Sequence, residues 1–310
     1  MKIIVANPRG FCAGVEMAVR AVELSLERFG RPLYVKHAIV HNAQVVKDLE
    51  NRGAIFVESV YDVPNGSVVV FSAHGSPPRD FDRAAQKGLL VINAECPLVT
   101  KVHNEVRRYA RDNLTVILVG HRNHVEVKGT EGEAPEHVLV VETVDEARTV
   151  RVPDPHKVAY ATQTTLSVDE TSEIVAILKE RFPDIVGPQK AHICYATQNR
   201  QDAVKRLTEK ARLIFIVGSP ESSNSNRLVE VARGAGATAH LVSMPKDIDV
   251  HIHEVKSVSV VGISAGASTP ERAVKNIILK IISLVSEIEI HELPGVEEKV
   301  HFALPKELGE

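Results

Sequence analysis

The sequence holds three cysteines, Cys12, Cys96 and Cys194, one in each third of the chain. Cys12 lies in NPRGFCAGV (7–15), after the apolar run Ile3, Ile4, Val5, Ala6. Beyond it Val15, Val19, Val22, Leu26 and Phe29 recur at helical spacing. Cys96 follows LLVIN and precedes Pro97, a residue suited to the first turn of a helix. Val99, Val102, Val106 and Tyr109 then fall on one face. Cys194 follows His192-Ile193 and precedes YATQNRQDAVKRLTEKA, where Val204, Leu207 and Ala211 repeat by three and four. Each thiol is therefore expected at a strand-to-helix turn, where the positive end of the helix dipole favours thiolate over thiol. A lone cysteine there is ordinarily a small buried hydrophobe. The same layout three times points to convergence on one centre.

Three thiolates suit an iron–sulfur cluster with one iron left unligated by protein. Such an iron can act as a Lewis acid towards an oxygen ligand and also deliver electrons. Zinc held by the cysteines and one histidine is the alternative, although the compact C-x-x-C spacing of zinc sites is missing. Spacing alone leaves both open, since cluster cysteines usually include a close pair.

A second set of reactive types follows the other apolar runs. His41-Asn42 follows PLYVKHAIV, His74-Gly75-Ser76 follows VVVFSA, and His124 and Glu126 follow TVILVG. Gln163-Thr164-Thr165 follows KVAYAT, Ser222, Ser223, Asn224 and Ser225 follow LIFIVG, and Ser268 follows SVSVVG. In parallel α/β sheets ligands bind beyond the carboxyl ends of the strands. Hydroxyls, amides and imidazoles there, several at helix N-termini, are donors of the kind that bind phosphoryl oxygens. Singly, a Ser, Thr or Asn at such a turn is ordinarily an N-cap, and a loop histidine is solvated. His251 and His253 in DVHIHEV and the charged face at Lys179–Arg181 are read as solvated. The set of histidines, a glutamate and a polar cluster, all at strand ends, outweighs those single readings.

Other motifs fail. No GxxxxGK[ST] phosphate loop is present, and Gly234-Ala235-Gly236-Ala237-Thr238-Ala239 closes a helix and precedes a strand, the wrong order for a dinucleotide site. His124-Val125-Glu126 has the H-x-E of zinc deaminases without their P-C-x-x-C partner.

The elements that must position these residues alternate as strand and helix from residue 3 to about 285, which implies parallel sheets with right-handed crossovers. The fold class is α/β in three lobes, 1–96, 97–193 and 194–310, with boundaries near the second and third cysteines. The tail after Ile290 reads as an extended arm of the third lobe. Hydrophobic content of 44% supports a sizeable core, and 25% charged residues is ordinary for a soluble protein. The net charge of −3 gives no basic field for nucleic acid. No apolar run reaches the ~18–20 residues of a spanning helix, and no secretory apolar region opens the chain. A cytoplasmic location is expected. Three cysteines argue against a disulfide framework.

Nine stretches in order carry a family resemblance. They are NPRGFCAGV, the His41-Asn42 pair, SAHG at 72–75, CPLVTKVH at 96–103, GHRNHVEVKGT at 120–130, TQTTLSVDET at 162–171, CYATQNRQ at 194–201, SSNSNRL at 222–228 and GISAGAS at 262–268. The chain closely resembles the 4-hydroxy-3-methylbut-2-enyl diphosphate reductases, which catalyse the last step of the non-mevalonate isoprenoid pathway, over residues 1 to about 305. The resemblance implies a pseudo-threefold trefoil of α/β lobes around one central 4Fe–4S cluster, with Cys12, Cys96 and Cys194 as ligands and the fourth iron open to the substrate's hydroxyl. It places the substrate's diphosphate among His41, His74, His124, Ser222, Ser223, Asn224 and Ser268. Glu126 matches the proton-delivering residue, and Thr164 the one that places the hydroxyl and relays protons. Two one-electron transfers from reduced ferredoxin or flavodoxin, with loss of water, then give isopentenyl or dimethylallyl diphosphate. A carboxyl beside a diphosphate is expected to have a raised pKa, which suits Glu126 to deliver a proton to a poor leaving group.

One departure stands out. The family commonly reads Asp-Ala-Thr before the second Cys-Pro, whereas this chain has Asn93-Ala94-Glu95. Arg122 also stands in the histidine loop without an assigned role. Two other classes compete with the reductase. A zinc hydrolase with Glu126 as base needs no inorganic sulfide, and a non-catalytic iron–sulfur protein needs no polar set such as His41, His74 and His124.

Overall fold

The computed structural model describes residues 1–188, 191–285 and 287–309. In the first part of the chain the elements are β1 (Lys2–Val5), α1 (Ala13–Phe29), β2 (Leu33–Lys36), α2 (Ala43–Asn51), β3 (Ala54–Val57), β4 (Val68–Phe71), α3 (Pro78–Gln86) and β5 (Leu90–Asn93). Next come α4 (Pro97–Arg111), β6 (Thr115–Val119), α5 (Val125–Glu131), β7 (Val138–Val141), α6 (Val144–Thr149), β8 (Val158–Thr162) and α7 (Val168–Arg181). The last part holds α8 (Tyr195–Thr208), β9 (Leu213–Val217), α9 (Ser223–Gly234), β10 (Thr238–Val242), α10 (Ile252–Ser257), β11 (Val260–Ala265), α11 (Glu271–Ile282) and β12 (Glu289–Glu292). The strands form three sheets, and every pairing among the named strands is parallel.

The chain divides into two compact units. One comprises Met1–Ala13, His41–Val45 and Tyr195–Val300. It is built on a five-stranded sheet in the order β10-β9-β11-β1-β12. The central strand LIFIV of β9 is buried along its whole length, as a parallel strand covered on both faces must be. Leu213, Phe215 and Val217 face Val274, Ile277 and Ile281 of α11. Ile214 and Ile216, pointing the other way, face Val204 and Leu207 of α8 and Leu228 and Ala232 of α9.

Two findings here differ from the sequence reading. β1 pairs with β11 on one side, Ile3 opposite Val261, and with β12 on the other, Ile3 opposite Ile290. The first strand thus lies in the sheet of the chain's last third rather than with β2–β5, because strand neighbours are set by free hydrogen-bonding edges and not by nearness in sequence. The tail after Ile290 does not start as an arm. Residues 289–292 are an edge strand whose four side chains are all exposed, so it lacks the apolar alternation that marks a strand.

The other unit comprises Gly14–Val40, Val46–Cys194 and His301–Glu310, of which 189, 190 and 310 lie outside the described residues. It holds a four-stranded sheet, β3-β2-β4-β5, and a three-stranded sheet, β7-β6-β8. One face of the smaller sheet is covered by Val102, Val106 and Tyr109 of α4 against Val116 and Leu118. Its other face is covered by Ile174 and Leu178 of α7 against Ile117 and Val119. The seven-residue helix α5 is too short to show a period in the sequence. Among the described residues no helix is long and apolar enough to cross a membrane.

Candidate active site

In the second unit the strand ends of β4, β6 and β8 carry the expected groups. Glu126 lies in the first turn of α5 and is buried. Its two oxygens accept from one residue: the backbone N–H of Thr164 donates to Oε1 at 2.7 Å and the Thr164 hydroxyl donates to Oε2 at 2.9 Å. Burial pushes the Glu126 carboxyl above its ordinary range; the two bonds from Thr164 and the nearby His103 pull it back, and Glu95 adds to the rise. The direction is the one expected from sequence, but the cause is desolvation by the protein itself rather than a substrate's charge.

His124 occupies the N-cap position of α5, where its Nδ1 accepts from the Glu126 N–H at 3.2 Å. That bond leaves the proton of the neutral ring on Nε2. The His74 ring meets the His124 ring edge-on, with centroids 6.0 Å apart, and its Nδ1 lies 3.3 Å from Ser72 Oγ. Lys36, buried beneath this loop, donates to Ser76 Oγ at 3.1 Å and pairs with Asp80 at 2.6 Å. Arg122 points away to β7 and α6, donating to the Val140 carbonyl and to Glu146.

Cys96 is the N-cap residue of α4, with Pro97 behind it, and its N–H donates to the Ala73 carbonyl at 3.0 Å. Gly14 in the first turn of α1 approaches it so closely that an added Cβ would stand 2.7 Å from the Cys96 sulfur. Cys194 directly precedes α8. The segment before it is irregular rather than a strand, so the expected strand-to-helix layout holds for Cys12 and Cys96 and is corrected for Cys194. A hydrogen bond does the strand's work: the Cys194 N–H donates to the Thr164 carbonyl at 3.1 Å. Thr164 therefore ties the third cysteine's backbone to the buried acid.

The departure at Asn93-Ala94-Glu95 forms a local turn in which Asn93 Oδ1 accepts from the Glu95 N–H at 3.2 Å. The Glu95 carboxylate accepts from the Thr100 hydroxyl at 2.6 Å and lies 3.8 Å from His103 Nδ1. His103 itself is held by Glu133 at 2.9 Å.

In the first unit, Cys12 lies between β1 and α1, its N–H donating to the Ala267 carbonyl at 3.3 Å. The loop before it is clamped by Arg200 of α8, a fully buried arginine. Arg200 donates to the Gly10 carbonyl at 2.7 and 3.0 Å and to the Phe11 carbonyl at 3.1 Å, and it pairs with Glu298 at 3.0 Å. Arg9 anchors the same loop to Glu271 and Glu292. Neither arginine stands out in the sequence, where a charged residue on a helix or in a loop reads as surface.

At the ends of β9 and β11 the same unit gathers the polar set. Ser222 is the N-cap of α9, its Oγ accepting from the Ser225 N–H at 3.2 Å. Ser268 Oγ lies 3.4 Å from Ser222 Oγ and donates to the His41 carbonyl at 2.9 Å. Asn224 accepts from the Ala267 N–H at 2.8 Å, and its amide lies 3.4 Å from Thr197 Oγ1. Ser223, half-buried, opens the helix. Ser225, named in the sequence with the same strand-end set, fills the space that Gly218 and Gly266 leave; a Cβ on either would stand about 2 Å from its hydroxyl (2.2 and 2.0 Å). Ser222, Asn224 and Ser268 are all buried around the N-terminus of α9, joined to the His41 backbone through Ser268.

Parallel sheets with a buried acid, imidazoles and hydroxyls at their carboxyl ends mark the protein as an α/β enzyme. Comparison with known proteins makes this specific. The LytB protein family matches residues 3–282. The 4-hydroxy-3-methylbut-2-enyl diphosphate reductase of Azoarcus sp. strain BH72 is 50% identical over 309 residues, covering 100% of this chain and 98% of the relative. Its counterpart from Acidithiobacillus ferrooxidans is 49% identical over 306 residues, covering 98% and 96%. The solved E-1-hydroxy-2-methyl-but-2-enyl-4-diphosphate reductase from Plasmodium falciparum superposes with a TM-score of 0.92 at 40% identity, covering 99% of this chain and 96% of that one. The chain belongs to the LytB family, whose curated relatives here are diphosphate reductases of isoprenoid synthesis.

Proposed function

We propose that this chain reduces 4-hydroxy-3-methylbut-2-enyl diphosphate to isopentenyl and dimethylallyl diphosphate. The C–O bond of the hydroxyl breaks, two electrons and two protons enter, and water leaves. Reduced ferredoxin or flavodoxin in the cytoplasm supplies the electrons.

Cys12, Cys96 and Cys194 are the proposed ligands of one 4Fe–4S cluster whose fourth iron has no protein ligand. The residues present fit such a group. Three thiols and no fourth leave one iron without a protein donor. The absent side chain of Gly14 spares the Cys96 sulfur a contact at 2.7 Å, and Cys96 at the N-cap of a 15-residue helix sits where thiolate is favoured. When bound, the cluster supplies electrons one at a time and a Lewis acid.

The chain's own residues do the rest. His41, His74, His124, Ser222, Ser223, Asn224 and Ser268 bind the diphosphate, with the N–H groups at the start of α9 adding to the attraction. Burial raises the Glu126 carboxyl above its ordinary range and so favours its protonated form, which delivers a proton to the leaving oxygen. Thr164 fixes both oxygens of that carboxyl and orients the substrate's hydroxyl with its own.

The observation that carries this reading is the buried Glu126 held at both oxygens by Thr164, whose carbonyl in turn holds the Cys194 backbone. The test is metal and acid-labile sulfide analysis of protein purified without oxygen, followed by turnover with a reduced donor. About four iron and four sulfide per chain, with turnover of the diphosphate, is the expected result. Zinc without sulfide in freshly purified protein would overturn it in favour of a hydrolase.

A further inference from the structure

Far along the first unit from the residues above in sequence lies a pair of stacked imidazoles. His240 sits on the edge strand β10, and His251 closes a 3-10 helix spanning Pro245–His251. Their ring centroids are 3.8 Å apart, with planes inclined by 27°. Phe215 of β9 packs against both, 5.9 and 5.7 Å away. The expectation that His251 is solvated fails here: its side chain is 19% exposed, while His253 is exposed as expected.

Glu254, in the first turn of α10, faces both rings. Its Oε2 lies 2.9 Å from His240 Nε2 and its Oε1 lies 2.9 Å from His251 Nδ1. One ligand atom from each of the three residues lies within 4.8 Å of the others. Donors around a zinc ion, at about 2.0–2.2 Å from the metal, stand roughly 3–4 Å apart. Both carboxylate–imidazole separations, 2.9 Å each, already lie near that range.

We propose that His240, His251 and Glu254 bind one divalent cation of the zinc class, with water in the remaining position. Two imidazoles and one carboxylate form a donor set that zinc takes with an open fourth position. Imidazole also favours zinc over magnesium and calcium, which take oxygen ligands. The ion would join the edge strand β10 to α10, a six-residue helix too short to be stable alone. The site is independent of the cysteines and of the proposed reaction.

The test is dialysis of the anaerobically purified holoprotein against zinc chloride, followed by metal analysis, zinc-edge X-ray absorption and thermal unfolding. The expected result is one zinc per chain beyond the iron, nitrogen and oxygen scatterers at about 2.0–2.1 Å, and a raised melting temperature. His251→Ala and Glu254→Gln should each lose the zinc and the thermal shift, while His253→Ala keeps both. Circular dichroism of the variants without zinc separates loss of the ion from loss of the fold. Three results overturn the proposal: no zinc retained by wild type, sulfur scatterers at about 2.3 Å that put the metal on cysteines, or retention unchanged in folded His251→Ala.

Discussion

Thr164 gives both of its hydrogen-bond donors to Glu126, its N–H to one carboxyl oxygen at 2.7 Å and its hydroxyl to the other at 2.9 Å. A carboxylate so held would ordinarily be acidic, yet burial prevails and the net shift is upward. The carboxyl is thereby held by two donors and yet has its protonated form favoured by burial.

Replacing Glu126 by Gln tests that balance twice. Activity should fall by about 10²–10⁴-fold, the usual worth of a positioned acid. The alkaline descending limb of the wild-type pH–rate profile should disappear with it. Stability should move the other way. Because the folded-state pKa is raised, the folded protein binds more protons than the unfolded chain between the ordinary carboxyl pKa and the raised one. Stability is therefore lost as pH rises through that window. Glu126→Gln should melt at a higher temperature than wild type at neutral pH, and the gap should close in acid, as followed by calorimetry.

Thr164→Val removes the hydroxyl and keeps the backbone donor. One of the bonds that lowers the Glu126 pKa is then gone, so the descending limb should shift to higher pH while turnover drops. Leaving that buried oxygen without its donor should cost about 1–3 kcal/mol. Thr164→Ser, which keeps the hydroxyl, should restore the wild-type limb.

Gly14→Ala should lower the iron and sulfide bound per chain, since the new methyl would stand 2.7 Å from the Cys96 sulfur. Helix propensity alone predicts the opposite, a gain of roughly 0.5–1 kcal/mol for Ala over Gly inside α1. Metal analysis beside thermal unfolding separates the two effects.

Arg200→Met should destabilise by roughly 3–5 kcal/mol, because it removes the buried guanidinium that pairs with partly buried Glu298 and satisfies the carbonyls of Gly10 and Phe11. Arg200→Lys should recover only part of this, as one ammonium cannot reproduce the planar fork. Denaturant titration of the two variants gives the comparison.

Asn224→Asp keeps the acceptor for the Ala267 N–H and exchanges the amide donor for negative charge. The variant should fold normally and show a KM for the diphosphate raised about tenfold or more, the equivalent of 1.4 kcal/mol, with kcat less affected. An unchanged KM would remove Asn224 from the diphosphate site.

Much of this was legible in the residues. The strands around Val68–Phe71, Thr115–Val119 and Leu213–Val217 are apolar runs bounded by turn residues, and the polar group after each stands where a parallel sheet presents its ligands. What escaped depended on partners distant in sequence. Arg200 looks like a surface residue until the carbonyls of Gly10 and Phe11 are brought to it. β12 has no apolar face and becomes a strand only because β1 offers an edge. Cys194 sits before a helix without a preceding strand, because a bond to the Thr164 carbonyl replaces a sheet neighbour. His251 was hidden for a different reason: its partners His240 and Glu254 are near in sequence, but only the turn between β10 and α10 brings the rings face to face.

The pairing of β1 between β11 and β12 sets an order of assembly during synthesis. Residues 2–5 leave the ribosome first, yet both neighbours of that strand, 260–265 and 289–292, are translated near the end. Glu298, the counter-charge for the arginine behind Cys12, emerges later still. The nascent N-terminal segment must wait, with its apolar side chains unshielded, for almost the entire polypeptide. Contacts so remote slow folding and lengthen exposure to aggregation. The loop bearing Cys12 therefore reaches its final shape only in a nearly finished chain, so insertion of the proposed cluster would come late.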